Sequence, residues 1–225
     1  MDAIKTAGLT KKYKNCVAVD NLNLQIADGE LFTLLGITGA GKTTALNELK
    51  KLGGEIIDCD AVYHELLRSN QALQGELEAR FGSLIDEHGV FDRKKLGGVV
   101  FHDPAALADL NAIAHRHVVT AVKEILADAQ ARNIPAAAID AIALFESELA
   151  NLCHATVAIT APAEVRVERI MAREGISREY AQSRVNAQHP EEFYTSRCQH
   201  TLRNDCASAE EFGARAEGLF RTILK

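Results

Sequence analysis

The sequence predicts an α/β protein whose core is a doubly wound parallel sheet with helices on both faces. Three observations lead to this prediction. Short apolar runs typical of buried strands alternate with longer stretches typical of helices. The runs are apolar almost throughout, which is the pattern of strands covered on both sides. A glycine-rich loop, residues 36–43, separates one of these runs from a helix.

Residues 1–30 are the first segment, and they read as β structure. The clearest strand-like piece is VAVDNLNLQI, and Asp28-Gly29 is a dipeptide typical of tight hairpin turns. The run ELFTLL follows as a short buried strand that ends at Gly36. We therefore expect the segment to add an antiparallel hairpin beside this strand. Because an isolated hairpin is marginally stable in water, it must also pack on the rest of the chain.

After the loop, strands and helices are predicted in alternation. Pro104 stands at a favourable first position of a long helix, and Ser177 is a suitable N-cap. The predicted helices are 42–51, 61–80, a short one within HGVFDRKKLGGVVF, 104–132, 162–173, one that Ser177 caps, and 208–224. The predicted strands are EIIDCD, PAAAIDAIALF, ATVAIT and HTLRND.

Composition argues against several classes of partner. The net charge of the 225 residues is −6, aromatic residues make up 5%, and there is no Trp, so we expect no nucleic acid partner. The five cysteines form no C-x-x-C pair, which favours a reducing, cytoplasmic location. No signal peptide and no apolar run of roughly 20 residues is visible, so we expect no membrane partner.

The loop matches G-x-x-x-x-G-K-[ST], a phosphate-binding motif. Its glycines let backbone N–H groups curl around phosphate oxygens, Lys42 reaches the terminal phosphates, and the Thr43 hydroxyl ligates Mg²⁺. A flexible glycine turn is the alternative. The motif sits between a strand and a helix, as the mechanism requires, and so predicts ATP and Mg²⁺ as cofactors. The candidate nucleotide contacts are Gly36, Gly39, Ala40, Gly41, Lys42, Thr43 and Thr44.

Two acids end the strand that follows the loop helix. Asp58 and Asp60 would stand where strand ends border the ligand crevice of a doubly wound sheet. A carboxylate there can orient or deprotonate an acceptor alcohol. Asp60 is the candidate catalytic acid, and Asp58 is the one more suited to cap the next helix.

From ALNELKKLGG onward, the chain resembles the dephospho-CoA kinases over about 180 residues. The matching pieces are GEIIDCDAVYHELL, EARFGSLI, GVFDRKKLGGVVF, LNAIAH, ALFES, ERIMAREGIS, RVNAQ and LRND. The resemblance implies a P-loop NTPase-type domain over 31–225, with a helical CoA-binding region around 61–132 and a lid around 162–190. It also implies transfer of the ATP γ-phosphoryl group to the ribose 3′-hydroxyl of dephospho-CoA, by a protein that we expect to be a monomer.

The resemblance also implies roles for particular residues. Asp60 matches the general base of the family, while Arg93 and His115 look like substrate-side residues. Arg169 and Arg173 look like lid arginines that act with Lys42 to neutralise the transferring phosphoryl group.

Each of these residues also has an alternative interpretation in which its role is only structural. Arg93 follows an acid and suits a helix start at the surface, and His115 suits a buried position in an apolar helix. Arg169 and Arg173 suit a solvated ion-pair face with nearby glutamates. Glu146 either lies near the phosphates and the substrate or caps the next turn.

Residues 4–44 resemble a second family, because they are similar to the N-terminal part of ABC-transporter ATPases. In that family the aromatic that matches Tyr13 stacks on adenine, so Tyr13 is a candidate adenine contact. An ABC ATPase also needs a signature motif, and the sequence contains none. The segment therefore resembles a graft joined at a loop that both families share. The alternative functions are an ABC-type ATP-binding subunit or fragment, and a nucleotide-binding protein without catalysis.

The chain departs from the kinase pattern at a few positions. Leu35, Ile37 and Thr38 occupy positions in or beside the loop that differ from the usual glycine-rich entry. Arg116 stands where proline is usual, and Ile142-Ala143 replace an expected Pro-Leu. These last changes predict looser binding of the CoA moiety.

Overall fold

A computed structural model describes residues 2–13, 16–27, 31–36, 38–86, 90–141 and 143–224. The strands are β1 (Asp2–Tyr13), β2 (Cys16–Ala27), β3 (Leu31–Gly36), β4 (Glu55–Asp58), β5 (Ala137–Asp140), β6 (Ala155–Thr160) and β7 (His200–Arg203). The α-helices are α1 (Lys42–Lys51), α2 (Cys59–Ser69), α3 (Gln71–Phe81), α4 (Arg93–Val100), α5 (Pro104–Ala131), α6 (Ala163–Glu174), α7 (Arg178–Asn186), α8 (Glu191–Thr195) and α9 (Ala209–Ile223). A 3₁₀ turn spans Leu149–Leu152.

Five parallel strands form the main sheet, in the order β4-β5-β3-β6-β7. The predicted parallel sheet is thus confirmed. The strand that ends at the phosphate loop, β3, is central, and β5 and β6 flank it. Since all five strands run the same way, their carboxyl ends meet at one edge, where a doubly wound sheet binds its ligands.

Helices cover both faces of this sheet, as the apolar strands predicted. On one face α1 and α9 pack through Leu49, Phe212 and Phe220, all fully buried. On the other face α2 and α5 pack on Ile139, on the side of β5 opposite to Ala138. Successive residues of a strand point to opposite faces, so both sets must be apolar, and this makes β5 and β6 read as continuous apolar runs.

Two further helical units stand on the sheet. Helices α2–α5 enclose a cluster that contains Leu73, Leu77 and Leu96. Helices α6 and α7 pack together through Val167, Ile170, Ala181 and Val185. Each unit has its own small hydrophobic core, so contacts within the unit hold its helices together.

The predicted single helix over 61–80 is wrong in one respect, because it is two helices. Asn70 ends α2 and begins α3, and its side-chain oxygen accepts a hydrogen bond of 2.9 Å from the backbone N–H of Leu73. A short polar side chain can compete in this way with the helical hydrogen bonds of its neighbours. The predicted cap at Ser177 is confirmed, since its hydroxyl accepts from the backbone N–H of Tyr180.

The N-terminal hairpin differs from the prediction in its partner. Strands β1 and β2 pair antiparallel from Asp2↔Ala27 to Tyr13↔Cys16 as a sheet of their own, and β2 runs next to α9. Neither strand pairs with β3, because β5 and β6 already occupy both edges of β3. The predicted turn at Asp28-Gly29 and the side chain of Tyr13 lie outside the described part of the structure.

Candidate active site

The phosphate loop joins β3 to α1 and takes a conformation that needs glycine at two points. Gly39 and Gly41 have φ angles of 84° and 102°, which L-residues rarely adopt. A Cβ on Gly41 would also lie 2.4 Å from Nδ2 of Asn204. No side chain caps α1, so the N–H groups of its first turn are available to an anion.

Above this loop lies a cavity of about 440 Å³. Most of the predicted nucleotide contacts line it, together with both predicted lid arginines: Gly36, Gly39, Gly41, Lys42, Thr43, Thr44, Arg169 and Arg173. Thr38, which was not predicted as a contact, lines it as well. Ala40 differs from the rest, since it is fully buried and belongs to the core cluster that contains Leu49 and Phe212. Ile37 lies outside the described residues.

The loop lysine is held by an acid that the sequence analysis did not single out. Nζ of Lys42 donates to Oδ1 of Asp140 at 2.5 Å. Asp140 is the last residue of β5, next to β3, and it lies in register with Asp58 of β4. The sequence did contain a signal for this role. Asp140 is an acid at the end of a buried apolar run, and Asp58 likewise ends a strand at the same sheet edge.

Three side chains from outside the loop bind three successive loop carbonyls. Nε of Arg166 donates to the Thr38 carbonyl oxygen at 3.1 Å. Nη1 of Arg169 donates to that of Gly39 at 3.4 Å, and Nδ2 of Asn204 to that of Ala40 at 2.8 Å. Arg166 and Asn204 were not predicted as site residues, although Asn204 belongs to the matching piece LRND.

The two acids where β4 ends and α2 begins have separate surroundings. Oδ1 of Asp58 accepts a 3.0 Å hydrogen bond from the backbone N–H of Ala61, so Asp58 caps α2, as the sequence favoured. Asp60, in the first turn of α2, is exposed and lines a second cavity of about 180 Å³. Between them, burial raises the pKa of the Cys59 thiol to about 12, with neighbouring Asp140 adding to the shift, so that thiol stays protonated.

This second cavity is mostly apolar and is built where α2, α5 and the segment after β5 meet. Tyr63, Ala114, Val118 and Ala143 are among the residues that line it. His115 also lines it, half-exposed. Desolvation lowers the pKa of His115, and the nearby Glu146 charge opposes that shift, so its imidazole is mostly neutral near pH 7. A flat or apolar group can enter beside the Asp60 carboxylate.

Polar residues continue the cavity outward. Glu146, Glu148 and Arg116 line a groove that shares His115 and Ser147 with the apolar cavity. Glu146 is exposed there, and it follows β5 without capping a described helix. The structure therefore brings together Asp60, His115 and Glu146 along one continuous depression.

Arg93 lies at the edge of this arrangement. It begins α4, which Asp92 caps, and its Nη2 lies 3.4 Å from Nε2 of His64. Burial raises the pKa of Tyr63 in the cavity wall, and the Arg93 guanidinium opposes the shift. Arg93 thus has the predicted helix-start position, and its charge acts on a residue of the cavity wall.

The two lid arginines of α6 differ. Arg169 is half-buried and donates to the loop and, at 3.1 Å, to Oδ1 of Asn204. Arg173 is exposed and pairs with Glu174 at 2.5 Å, as on a solvated ion-pair face. Both nevertheless line the phosphate cavity.

A family model for dephospho-CoA kinase matches residues 31–210, which is most of the chain and includes every site residue described above. The chain belongs to the dephospho-CoA kinase family. The resemblance seen in the sequence is thereby confirmed, and the match begins at the first residue of β3.

Individual relatives agree with this assignment. The dephospho-CoA kinase of Latilactobacillus sakei is 37% identical over 157 residues, covering 68% of this chain and 78% of the relative. That of Thermobifida fusca is 33% identical over 193 residues, covering 85% and 95%. Among solved structures, TT1252 from Thermus thermophilus superposes with a TM-score of 0.71 at 31% identity, covering 88% of this chain and all of that one. The dephospho-CoA kinase from Campylobacter jejuni shares the fold, with a TM-score of 0.57 at 22% identity over 86% of this chain and 97% of that one.

Of the described departures from the family pattern, Thr38 lines the phosphate cavity, Ala143 the apolar cavity and Arg116 the polar groove beside it. Ala143 lines the cavity wall, where a larger side chain would fill part of it. Arg116 donates to Glu76 at 2.6 Å, which ties α5 to α3. Ile142 lies outside the described residues. Of the helices that the structure describes, none has the length and apolar character to cross a membrane.

Proposed function

We propose that this chain transfers the γ-phosphoryl group of ATP to the ribose 3′-hydroxyl of dephospho-CoA, the last step of coenzyme A biosynthesis. One observation carries the proposal. The Asp60 carboxylate faces an apolar cavity at the same sheet edge where the phosphate loop, Lys42 and Asp140 meet. An alcohol held in that cavity lies between a base and the phosphates of a nucleotide, which is the arrangement that phosphoryl transfer requires.

Asp60 is the proposed general base. Its exposed carboxylate accepts the proton of the sugar hydroxyl as the oxygen attacks phosphorus, and ADP leaves on the opposite side. Positioning accounts for much of the rate enhancement, because the cavity wall holds the acceptor in place and no encounter in free solution is needed. The proposed substrate contacts are neutral His115 and Glu146, which line the cavity and the adjoining groove, and Arg93, whose charge acts on Tyr63 in the cavity wall.

Lys42, Arg169 and Arg173 are the proposed electrostatic partners of the phosphates. All three line the cavity over the loop, where a fixed positive charge stabilises the charge that builds up in the transition state. Arg173 must exchange Glu174 for a phosphate oxygen to do so. Closure of α6 and α7 over the site excludes water that would otherwise hydrolyse ATP.

Mg²⁺ is the proposed metal partner of ATP, and the donor set fits it. The Thr43 hydroxyl lies in the first turn of α1 and lines the phosphate cavity, and the Asp140 carboxylate stands beside Lys42 at the end of β5. Hard oxygen donors of this kind suit Mg²⁺, which shares its coordination with phosphate oxygens and water. When bound there, Mg²⁺ would neutralise part of the negative charge of the phosphates.

We also propose a domain boundary, a location, an oligomeric state and a role for the N-terminal segment. The kinase domain spans 31–225 and acts as a cytoplasmic monomer, with 1–30 as an added β segment. The family match from residue 31 supports that boundary. Packing of β2 near α9 supports a role for the segment in bracing the domain, and Tyr13 is the proposed adenine contact.

Mass spectrometry of a mixture of the chain, ATP, Mg²⁺ and dephospho-CoA tests the function. The expected product is heavier by one phosphate and carries it on the 3′-oxygen, and ADP forms only when the acceptor is present. ATP hydrolysis at the same rate without an acceptor would contradict the proposal.

A further inference from the structure

We infer that Arg166 and Asn204 are positioning residues that set the direction of the backbone N–H groups in the phosphate loop. Together with Arg169 they form what we call the carbonyl brace, the three side chains that bind the carbonyls of Thr38, Gly39 and Ala40. The inference rests on one part of the proposed function, namely that a nucleotide binds in the loop cavity. It does not depend on which acceptor the chain uses.

The geometry of the peptide bond gives the brace its effect. A trans peptide holds its C=O and the N–H of the next residue on opposite sides of one plane. Binding the carbonyls of residues 38, 39 and 40 from outside therefore fixes the N–H groups of residues 39, 40 and 41 toward the other side. That side is the phosphate cavity, which Gly39 and Gly41 line.

The brace is anchored in the protein interior. Arg166 and Asn204 have exposed fractions of 6% and 3%. The backbone N–H of Asn204 donates to the Thr160 carbonyl oxygen at 2.7 Å, which ties it to the end of β6. Its side chain touches the loop and Arg169 at once. Buried groups of this kind have few alternative partners, so the loop carbonyls are held rigidly.

Arg166 is an unusual choice for a purely structural buried residue. In the described part of the chain, no carboxylate lies within ion-pair distance of its guanidinium, whose hydrogen bonds go to the Thr38 carbonyl and to Oε1 of Gln188. Desolvation lowers the pKa of Arg166, which reflects the cost of burying this cation. A buried positive charge against the outer side of the loop also favours anions on the inner side.

The brace predicts a particular pattern of nucleotide affinity. Loop N–H groups hold the phosphates that ADP and ATP share, so loss of the brace should weaken both nucleotides equally. Arg166→Met removes every donor at nearly constant length. Asn204→Asp keeps the shape and the oxygen that Arg169 contacts, but replaces the donor to Ala40 with an acceptor.

Titration calorimetry with ADP and with ATP, without any acceptor, is the test. We expect each variant to bind both nucleotides about tenfold more weakly, the effect of losing one buried hydrogen bond. Arg166→Lys, which keeps one donor and the charge, should recover part of the affinity. In turnover assays the KM for ATP should rise while kcat at saturating ATP changes little. Arg197→Met, which removes an exposed arginine stacked on Phe193, is the matched control and should bind as the wild type does.

Two results would overturn the inference. One is wild-type affinity, within twofold, in folded Arg166→Met. The other is a loss confined to ATP, which would make Arg166 a direct contact of the γ-phosphate rather than a positioning residue. If Asn204→Asp fails to fold, Arg166→Met decides alone. Because the titrations need no acceptor, a different acceptor would refute the proposed function and leave the brace standing.

Discussion

Asp140 and Lys42, 98 positions apart in sequence, form an ion pair of 2.5 Å at the edge where β3 and β5 end. Both side chains are about one-fifth exposed, so the pair is only partly screened by water. The pair fixes the loop lysine beside the phosphate cavity, and its carboxylate is one of the proposed Mg²⁺ ligands.

Asp140→Asn should lower kcat by at least about 100-fold, because a preorganised charge is lost at the point of phosphoryl transfer. Steady-state kinetics over a range of Mg²⁺ concentrations would measure the loss and a raised Mg²⁺ requirement. Asp58→Asn is the control, since Asp58 lies in register with Asp140 on the next strand and Asn caps helices as well as Asp does. Equal losses in the two variants would contradict the assignment.

Asp60→Asn should remove most turnover and leave ATP affinity nearly intact, because the carboxylate acts on the acceptor rather than on ATP. Calorimetry with ATP and single-turnover assays with dephospho-CoA would separate the two effects. Turnover at the wild-type rate in this variant would show that Asp60 is not the base.

Ala143→Leu, which restores the leucine expected from the family pattern, should lower the KM for dephospho-CoA about tenfold and leave the KM for ATP unchanged, because three added carbons reduce the empty space in a cavity of about 180 Å³. Ala108→Leu adds the same group to an exposed position of α5 and should change neither constant. A raised KM for the acceptor would mean instead that the leucine obstructs the CoA moiety.

Gly41→Ala should abolish measurable ATP binding. Its Cβ would lie 2.4 Å from Nδ2 of Asn204, and its φ of 102° is strained for an L-residue. Gly175→Ala is matched in backbone strain, with φ 66°, but meets nothing within 4 Å. It should cost only about 1–2 kcal/mol of stability and keep nucleotide affinity. ATP titration and thermal melting would distinguish them, and normal binding by Gly41→Ala would refute the close packing of Asn204 on the loop.

Stability should fall as the pH drops below about 6.5, in part because of His200. Burial lowers the pKa of His200 below 6.5, so the unfolded chain binds a proton that the folded chain resists. Its contribution is present above pH 6.5 and is lost as the pH falls toward the folded pKa. Urea unfolding at pH 7.5 and 5.5 should show a smaller difference for His200→Gln than for the wild type. The exposed His102→Gln should leave the difference unchanged.

The sequence by itself determined the features that depend on neighbours along the chain. The loop motif at 36–43, the start of α5 at Pro104 and the caps at Asp58 and Ser177 are local, because each depends on hydrogen bonds within a few residues. The alternation of apolar runs and helices was enough to predict a parallel sheet covered on both faces. The pieces after residue 45 were enough to indicate the family.

Only the tertiary structure decided which residues that are distant in sequence contact each other. The order β4-β5-β3-β6-β7 puts Asp140 on Lys42 and brings Asn204 to the loop, and alternation along the chain does not fix that order. The same order gives β3 two partners and so leaves no free edge of β3 for the N-terminal hairpin to join. Strand order depends on the packing of distant segments, which is why Asp140, Arg166 and Asn204 became visible as site residues only in three dimensions.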